Sequence, residues 1–318
     1  MDSLSQKIYD QALRCGFDKC GIISISALDG FKQLYQQRLN DVPVSQYFYK
    51  GVGNLTETKS RFPWSKSIVI LVFDYGKYRF PESLQGKYGK AFFLEPEKKS
   101  RERFDLERLE VWFYENGIQA KGGEQFGSLS VGPLRYMAMK AGLGIIRKNN
   151  FFYTENGSYN NLFAYVIDQE CELIHTCSAP PCSEKCDLCR RACKTKALEA
   201  PYTMNPFKCV SFLTTFGNSD TPEGLSDEMY EQWVCGCDNC QDACPYNRRH
   251  DWKHGLPLNK LEEIAPAILP ENYENLTDEF LIKNVIPKTA THLQDKDIPA
   301  LRKNAARSAI NAQRGGVK

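Results

Sequence analysis

The chain has 318 residues, of which 42% are hydrophobic and 25% are charged, so it is long enough to bury one large core or two smaller ones. Its 41 basic and 39 acidic residues leave a net charge of +2, which gives no overall attraction to nucleic acid but leaves a local basic face open. We find neither a signal-peptide segment nor an apolar run of about 18 residues, and we expect a cytoplasmic protein without a membrane span.

Helix and strand patterns alternate over the first half of the chain. Apolar residues recur at helical spacing in three segments, each of which ends at glycine. Short apolar runs, the longest being SIVILVF, are typical of buried strands. The predicted elements, in chain order, are a helix over 4–16, strands over 19–25 and 67–75, helices over 97–117 and 132–144, and a strand over 161–168. This alternation predicts a mixed helix and sheet domain over residues 1–170.

After residue 170 the sequence changes character. The stretches CSAPPCSEKC and CGCDNCQDACPYN are rich in cysteine and leave little room for a hydrophobic core. We therefore expect a domain over 171–250 that is organised around inorganic groups. Residues 251–318 are polar with helical patches, the clearest over 297–313, and we predict that they form a C-terminal helical segment.

The thirteen cysteines are unevenly distributed, with eleven of them between Cys171 and Cys244. Reducing compartments rarely keep structural disulfides, so this density favours metal or redox chemistry. Cys15 and Cys20 lie far from the rest, and we predict that they are small buried side chains. Three cysteines of the dense region have no assigned role, namely Cys171, Cys177 and Cys235.

The spacing of the remaining eight cysteines is informative. The pattern C-x2-C-x3-C occurs twice, and Pro245 follows the second run. This resembles the run of a bacterial ferredoxin that holds two [4Fe-4S] clusters, which need eight thiolates in total. The candidate ligands number eight: Cys182, Cys186, Cys189, Cys193, Cys209, Cys237, Cys240 and Cys244. Zinc bound by Cys-x2-Cys pairs and disulfide bonds are the two alternatives.

The ferredoxin pattern also predicts which cysteines share a cluster. In that pattern the fourth cysteine of a run binds the other cube, because the chain turns into a helix after the x3 step and leaves its own cube. Cluster one is therefore predicted to use Cys182, Cys186, Cys189 and Cys244. Cluster two is predicted to use Cys193, Cys209, Cys237 and Cys240.

Several longer stretches carry a family resemblance. They read GLGIIRKNNFFYTENGSYNNLFAYVID, CDLCRRACKTKAL, KCVSFLT and GCDNCQDACPYN, with GFDKCGI and LRKNAARSAINA at the two ends. The chain resembles the epoxyqueuosine reductase family, which is related to the reductive dehalogenases. The resemblance implies an α+β fold, in which a nitroreductase-like cobalamin-binding domain precedes a ferredoxin-like double [4Fe-4S] domain and a short helical tail. It also implies a low-potential electron donor such as ferredoxin or flavodoxin.

Some positions depart from the family's pattern. The family carries an Asp-x-x-Pro motif whose aspartate donates a proton, and the matching position here is Ser128 or Ser130 in GSLSVGPLRY. A serine hydroxyl is a poor acid near neutral pH. Tyr136 is a third candidate proton donor, although core packing also explains it. The family's GWIGK turn reads GIIRK, with Arg147 at a glycine position.

The resemblance also points to a loop that approaches the corrin ring. Its residues are Lys148, Asn149, Gly157 and Ser158, and a hairpin turn equally explains the glycine. The leading hypothesis is a cobalamin-dependent iron–sulfur oxidoreductase that performs a reductive step on a small or tRNA-borne substrate different from epoxyqueuosine. The alternatives are an electron-transfer protein that reduces a corrinoid or another redox partner, and a zinc-stabilised interaction protein without redox activity.

Overall fold

The structure is a computed structural model that describes residues 3–51, 55–94, 105–123, 130–216, 219–288 and 293–315. Its strands are β1 (Lys19–Ser24), β2 (Ser67–Asp74), β3 (Ala120–Gly122), β4 (Ile145–Ile146), β5 (Phe152–Tyr153) and β6 (Asn160–Ile167). The helices of the first half are α1 (Leu4–Arg14), α2 (Phe31–Asp41), α3 (Gln46–Gly51), α4 (Thr58–Arg61), α5 (Lys90–Leu94), α6 (Leu106–Glu115) and α7 (Leu134–Lys140). Those of the second half are α8 (Leu188–Ala192), α9 (Val210–Thr215), α10 (Asn239–Asp242), α11 (Asn259–Ile264), α12 (Asp278–Asn284) and α13 (Ile298–Gly315).

The chain divides into two compact units. The first consists of Met1–Asp74, Pro96–Lys185 and Ala200–Thr203, and the second of Tyr75–Glu95, Cys186–Glu199 and Met204–Lys318. The segment that follows β2, Tyr75–Glu95, thus belongs to the second unit. A division of the chain into consecutive segments would place it in the first unit. The predicted segments 1–170, 171–250 and 251–318 stay a prediction of functional domains.

The first unit is built on a four-stranded sheet of order β1-β2-β6-β3, in which every neighbouring pair is antiparallel. The two long strands are buried along most of their length because they lie in the middle of the sheet. Helix α7 covers one face, where Met137 and Ala138 pack on Ile70 and Ala164. The antiparallel sheet with helices packed on it confirms the predicted α+β class.

The local sequence explains where several elements begin and end. Ser3 accepts a hydrogen bond from the Gln6 amide at the start of α1, and Asp105 does the same for Arg108 at the start of α6. Both are favoured N-cap residues. Gly142 ends the α7 segment with a φ of 69°, and a side chain there would collide with the carbonyl of His175. Glycine is therefore required at this turn.

The second unit has a small core under the cysteine-rich loops, formed by Val210, Leu213, Tyr230 and Trp233. Helix α13 is tied to these loops by buried polar contacts. The Asn304 side chain donates to the carbonyl of Thr214 at 3.1 Å, and the Arg307 guanidinium lies 3.6 Å from the centre of the Tyr230 ring. The predicted C-terminal helix is confirmed, and it is packed as part of the second unit.

Most predicted elements are confirmed, with differences at their ends. The helix predicted over 97–117 is seen as α6, and residues 97–104 lie outside the described residues. The helix predicted over 132–144 is shorter, because Pro133 caps α7 and the chain turns at Ala141. Among the described residues, no helix has the length and apolar character needed to cross a bilayer.

Candidate iron–sulfur and cofactor site

The two cysteine runs of the second unit fold in the same way. In each run a short helix begins two residues after the first cysteine, carries the second, and ends before the third. Cys189 lies on α8 with Cys193 directly after it, and Cys240 lies on α10 with Cys244 two residues after it. The helix of each run thus lies before its third cysteine, whereas the sequence pattern predicted a helix after it.

The four cysteines predicted for cluster two are electrostatic neighbours. Burial raises the pKa of the Cys240 thiol well above its usual range, and the thiols of Cys209 and Cys193 raise it further, as does that of Cys189, a predicted ligand of cluster one. Burial is also the main cause of the raised pKa of Cys237, and the thiols of Cys240 and Cys209 add to it. Such thiols stay protonated when bare, whereas a bound metal holds them as thiolates. Three separate segments therefore bring four soft ligands together.

Amide groups point at several of these sulfur atoms. The amide of Ala197 donates to Cys193 Sγ at 3.3 Å, and the amides of Phe212 and Ser211 hydrogen-bond the Cys209 sulfur and lower its pKa against the effect of burial. The amide of Asn239 acts likewise on Cys237. Hydrogen bonds to sulfur stabilise the negative charge of an iron–sulfur cluster and are among the features that set its potential. The donor set therefore fits a [4Fe-4S] cube.

Cys182, the first predicted ligand of cluster one, belongs to the first unit and is held there by two neighbouring cations. Arg147 Nη1 donates to Cys182 Sγ at 3.6 Å, and its Nη2 donates to the carbonyl of Pro180. Lys148 Nζ donates to the carbonyls of Ser183 at 2.9 Å and Glu184 at 2.6 Å. The sequence does not indicate this role for either residue: Arg147 stands at a glycine position of the family pattern, and Lys148 belongs to the predicted corrin loop.

A buried ion cluster lies beside the second cysteine run. Lys90 and Asp238 are each 3% exposed. Lys90 Nζ lies 3.2 Å from Asp238 Oδ2 and 3.1 Å from Asp242 Oδ1, and the Lys90 amide donates to Asp238 Oδ2 at 2.8 Å. Burial lowers the pKa of Lys90, but the two carboxylates outweigh it and the net pKa is raised. No local pattern in the sequence connects Lys90 with Asp238 and Asp242, which lie 148 and 152 positions later.

The remaining cysteines are all free thiols, like the eight candidates. Cys15 and Cys20 are buried, as predicted, and burial raises the pKa of each. Cys235 is fully buried, its carbonyl accepts from the Gly89 amide, and burial raises its pKa to about 12. The disulfide alternative therefore has no support in the structure. Among the residues described, no group of three or more His, Cys, Asp or Glu side chains has the spacing of a site for a single metal ion; a [4Fe-4S] cube differs from such a site because its four thiolates bind four separate irons.

The two candidate proton donors that the structure describes are both buried. Ser128 lies outside the described residues. Ser130 is 4% exposed, its Oγ lies 3.4 Å from the carbonyl of Gly132, and its own carbonyl accepts from Arg61. Tyr136 is buried, with its ring centre 5.1 Å from that of Phe31. The surroundings of Ser130 and Tyr136 are those of packed residues, so their catalytic roles stay predictions.

The predicted corrin loop is a tight turn of the first unit. Thr154 and Gly157 exchange backbone hydrogen bonds of 3.0 and 3.2 Å, and Gly157 has a φ of 114°. Ser158 is buried. Asn149 is also buried, and its Nδ2 donates to the hydroxyl of Tyr153 at 2.8 Å. The roles of these residues toward a cofactor are predictions, and the turn geometry accounts for the glycine.

Comparison with known proteins agrees with this description. Residues 182–247 match the family described as a 4Fe-4S double cluster binding domain. An epoxyqueuosine reductase of Cellulophaga algicola is 26% identical over 299 residues, which cover 90% of this chain and 92% of the relative. This chain is similar to the epoxyqueuosine reductases over most of its length. It is an epoxyqueuosine reductase-like iron–sulfur oxidoreductase, and its cysteine-rich region is a double [4Fe-4S] domain.

Solved structures share the fold of this chain. The epoxyqueuosine reductase of Streptococcus thermophilus aligns with a TM-score of 0.75 at 23% identity, over 97% of this chain and 81% of the other. An epoxyqueuosine reductase in complex with an epoxyqueuosine-modified tRNA-Tyr stem loop aligns with a TM-score of 0.72 at the same identity and coverage. The predicted α+β fold class is thus confirmed.

Proposed function

We propose that this protein is a cobalamin-dependent iron–sulfur reductase whose substrate differs from epoxyqueuosine. The observation that carries the proposal is the gathering of Cys193, Cys209, Cys237 and Cys240, which supports a cluster whose ligands come from three segments. Low-potential [4Fe-4S] clusters accept electrons one at a time and are suited to supplying a reductive step. A ferredoxin or flavodoxin would be a suitable external donor.

The turn around Gly157 supports a polar ligand of the first unit. Next to it, Asn160 Oδ1 and Asn161 Nδ2 are buried atoms that have no hydrogen-bond partner among the described residues. Buried polar atoms in native proteins are nearly always paired, so these amides are suited to bind a ligand's polar groups. Gly157, Ser158 and Asn161 are the residues proposed to hold cobalamin. Bound cobalamin would supply a strongly reducing metal centre, which amino-acid side chains lack.

Metal analysis tests the cofactor content. Anaerobic purification with added cobalamin should yield about eight irons per chain, four for each of two cubes, together with one equivalent of cobalt. Full iron content without cobalt would reject the cobalamin proposal and favour the electron-transfer alternative. A colourless protein loaded with zinc would reject both.

The serines at the family's aspartate position support a different substrate. A reductive cleavage needs a proton, and a serine hydroxyl does not supply one readily near neutral pH. A solved relative binds an epoxyqueuosine-modified tRNA stem loop, so we also consider a tRNA-borne substrate for this protein. A small organic molecule is the other class. In either case the proton is proposed to come from the substrate, from water or from a group other than these serines.

The first prediction concerns turnover of epoxyqueuosine in tRNA. We expect the purified holoprotein with a strong reductant to convert little or none of it, and we expect Ser128→Asp to raise conversion if that position matches the family's aspartate. Ser130→Asp is the matched variant, and it should lower stability because the site is 4% exposed and a carboxylate there would be buried. Efficient turnover by the unmodified protein, measured by mass spectrometry of the nucleosides, would contradict the proposed difference in substrate.

The second prediction concerns the turn that is proposed to hold cobalamin. Gly157→Val should abolish corrinoid binding while leaving the iron content unchanged, because the new side chain blocks close approach of a ligand to the backbone. Gly117→Val is the control for backbone strain, since Gly117 has a φ of 66° and no atom within 4 Å of an added Cβ. Corrinoid binding is measured by absorption titration. Equal binding in both variants would remove the turn from the site.

A further inference from the structure

The guanidinium of Arg147 contacts the sulfur of a predicted cluster ligand inside the first unit. Arg147 is 2% exposed, and its Nη1 lies 3.6 Å from Cys182 Sγ. Its Nη2 donates to the carbonyl of Pro180, and its Cζ lies 5.0 Å from the centre of the Tyr153 ring. These contacts hold the planar group in one orientation.

The backbone around Arg147 is also held by hydrogen bonds. The Arg147 amide donates to the carbonyl of Phe151 at 3.0 Å, and the Asn150 amide donates to the carbonyl of Arg147 at 2.8 Å. The side chain therefore extends from a closed turn between β4 and β5. Because both ends of the side chain are held, the donor is pre-organised towards the sulfur.

A charged donor at a ligand sulfur has a definite electrostatic effect. An arginine side chain carries its positive charge at any pH at which the protein is folded. A reduced iron–sulfur cluster carries one more negative charge than the oxidised cluster, and hydrogen bonds and charges near the sulfurs set its potential. Because the guanidinium is buried, the effective dielectric constant around it is low, which strengthens its attraction to the negative charge of the cluster.

We infer that Arg147 raises the reduction potential of the cluster bound through Cys182 by donating a charged N–H···S hydrogen bond to that ligand. The inference rests on the proposed ligation by Cys182. Arg147 would then make the reduction potential of this cluster differ from that of the other cluster. Electrons arriving from a donor would then occupy the two clusters unequally.

Lys148 is the matched control, because it is adjacent and cationic and binds the same loop. Its Nζ reaches the carbonyls of Ser183 and Glu184, which fix the loop, and the described contacts of Nζ are with these oxygens. If loop position or charge alone sets the potential, loss of Lys148 should have the same effect as loss of Arg147. If the sulfur contact sets it, the two losses should differ.

The test is an EPR-monitored redox titration of both clusters in the anaerobic holoprotein. Arg147→Met should shift one midpoint potential to a more negative value and leave the other unchanged. Arg147→Lys should shift it less, because the charge remains while the fork of donors is lost. Lys148→Met should leave both midpoints close to those of the unmodified protein.

Other outcomes lead to distinct conclusions. Unchanged midpoints in Arg147→Met with full iron content would overturn the inference, as would an equal shift in Lys148→Met. If Arg147→Met loses iron, the midpoint potentials are measured in Arg147→Lys and Arg147→Gln instead. Unchanged midpoint potentials in both of these variants would overturn the inference. Cys182→Ser tests the underlying ligation: if it alters neither cluster signal, the proposed ligand set is wrong.

Discussion

Cys193→Ser should remove the cluster held by Cys237 and Cys240 and leave the cluster of Cys186 and Cys189 largely intact. The reason is that Cys193 belongs to the first run in sequence, but its thiol interacts electrostatically with those of Cys209 and Cys240. Loss of one thiolate from a four-ligand site leaves an iron without its soft ligand. The iron content should fall from about eight to about four atoms per chain.

Cys244→Ser should have the opposite effect and remove the cluster of Cys186 and Cys189. Iron counts alone do not separate the two outcomes, so the measurement is EPR that resolves each cluster or a structure of each variant. Cys177→Ser is the control, because this cysteine is outside the eight candidates and should alter neither signal. If Cys193 binds the same cube as Cys186 and Cys189, the predicted crossing is wrong and the two runs are independent sites.

Lys90→Met should destabilise the second unit by about 3–5 kcal/mol, which is the usual effect of removing one partner of a buried ion pair. The carboxylate of Asp238 would remain 3% exposed without its cation. Burial already raises the pKa of Asp238 even with Lys90 present, so the carboxyl would bind a proton more readily in the variant. Because Asp238 follows Cys237 directly, we also expect faster loss of iron from the second cluster.

Urea denaturation of the anaerobic holoprotein, followed by circular dichroism and by cluster absorption, measures both effects. Lys87→Met is the matched control, since the Lys87 ammonium reaches only the carbonyl of Ser83 among its described contacts. Such a surface substitution usually changes the free energy of unfolding by less than about 0.5 kcal/mol. Asp238→Asn added to Lys90→Met should recover part of the stability, because it removes the buried charge. Equal denaturation midpoints for the two lysine variants would contradict the structural role assigned to Lys90.

The two runs show how far a local pattern predicts a site. The C-x2-C-x3-C spacing places its second cysteine on a short helix and its third beyond that helix in both runs, because these positions are set by neighbouring residues. The same CD dipeptide begins each run, yet Asp238 is buried against Lys90 whereas Asp187 is exposed and pairs with Arg191 at 2.9 Å. A local pattern therefore predicts the ligands better than it predicts their surroundings.

By itself the sequence determined the α+β fold class, most helices and strands, and the cysteines suited to bind two [4Fe-4S] clusters. Each of these follows from periodicity or spacing within a few residues. The tertiary structure alone decided that the segment after β2 belongs to the second unit. It also decided that Lys90 pairs with Asp238 and that Arg147 donates to the sulfur of Cys182. These contacts join residues far apart in the chain, and they depend on burial and charge pairing that appear only when the chain is folded.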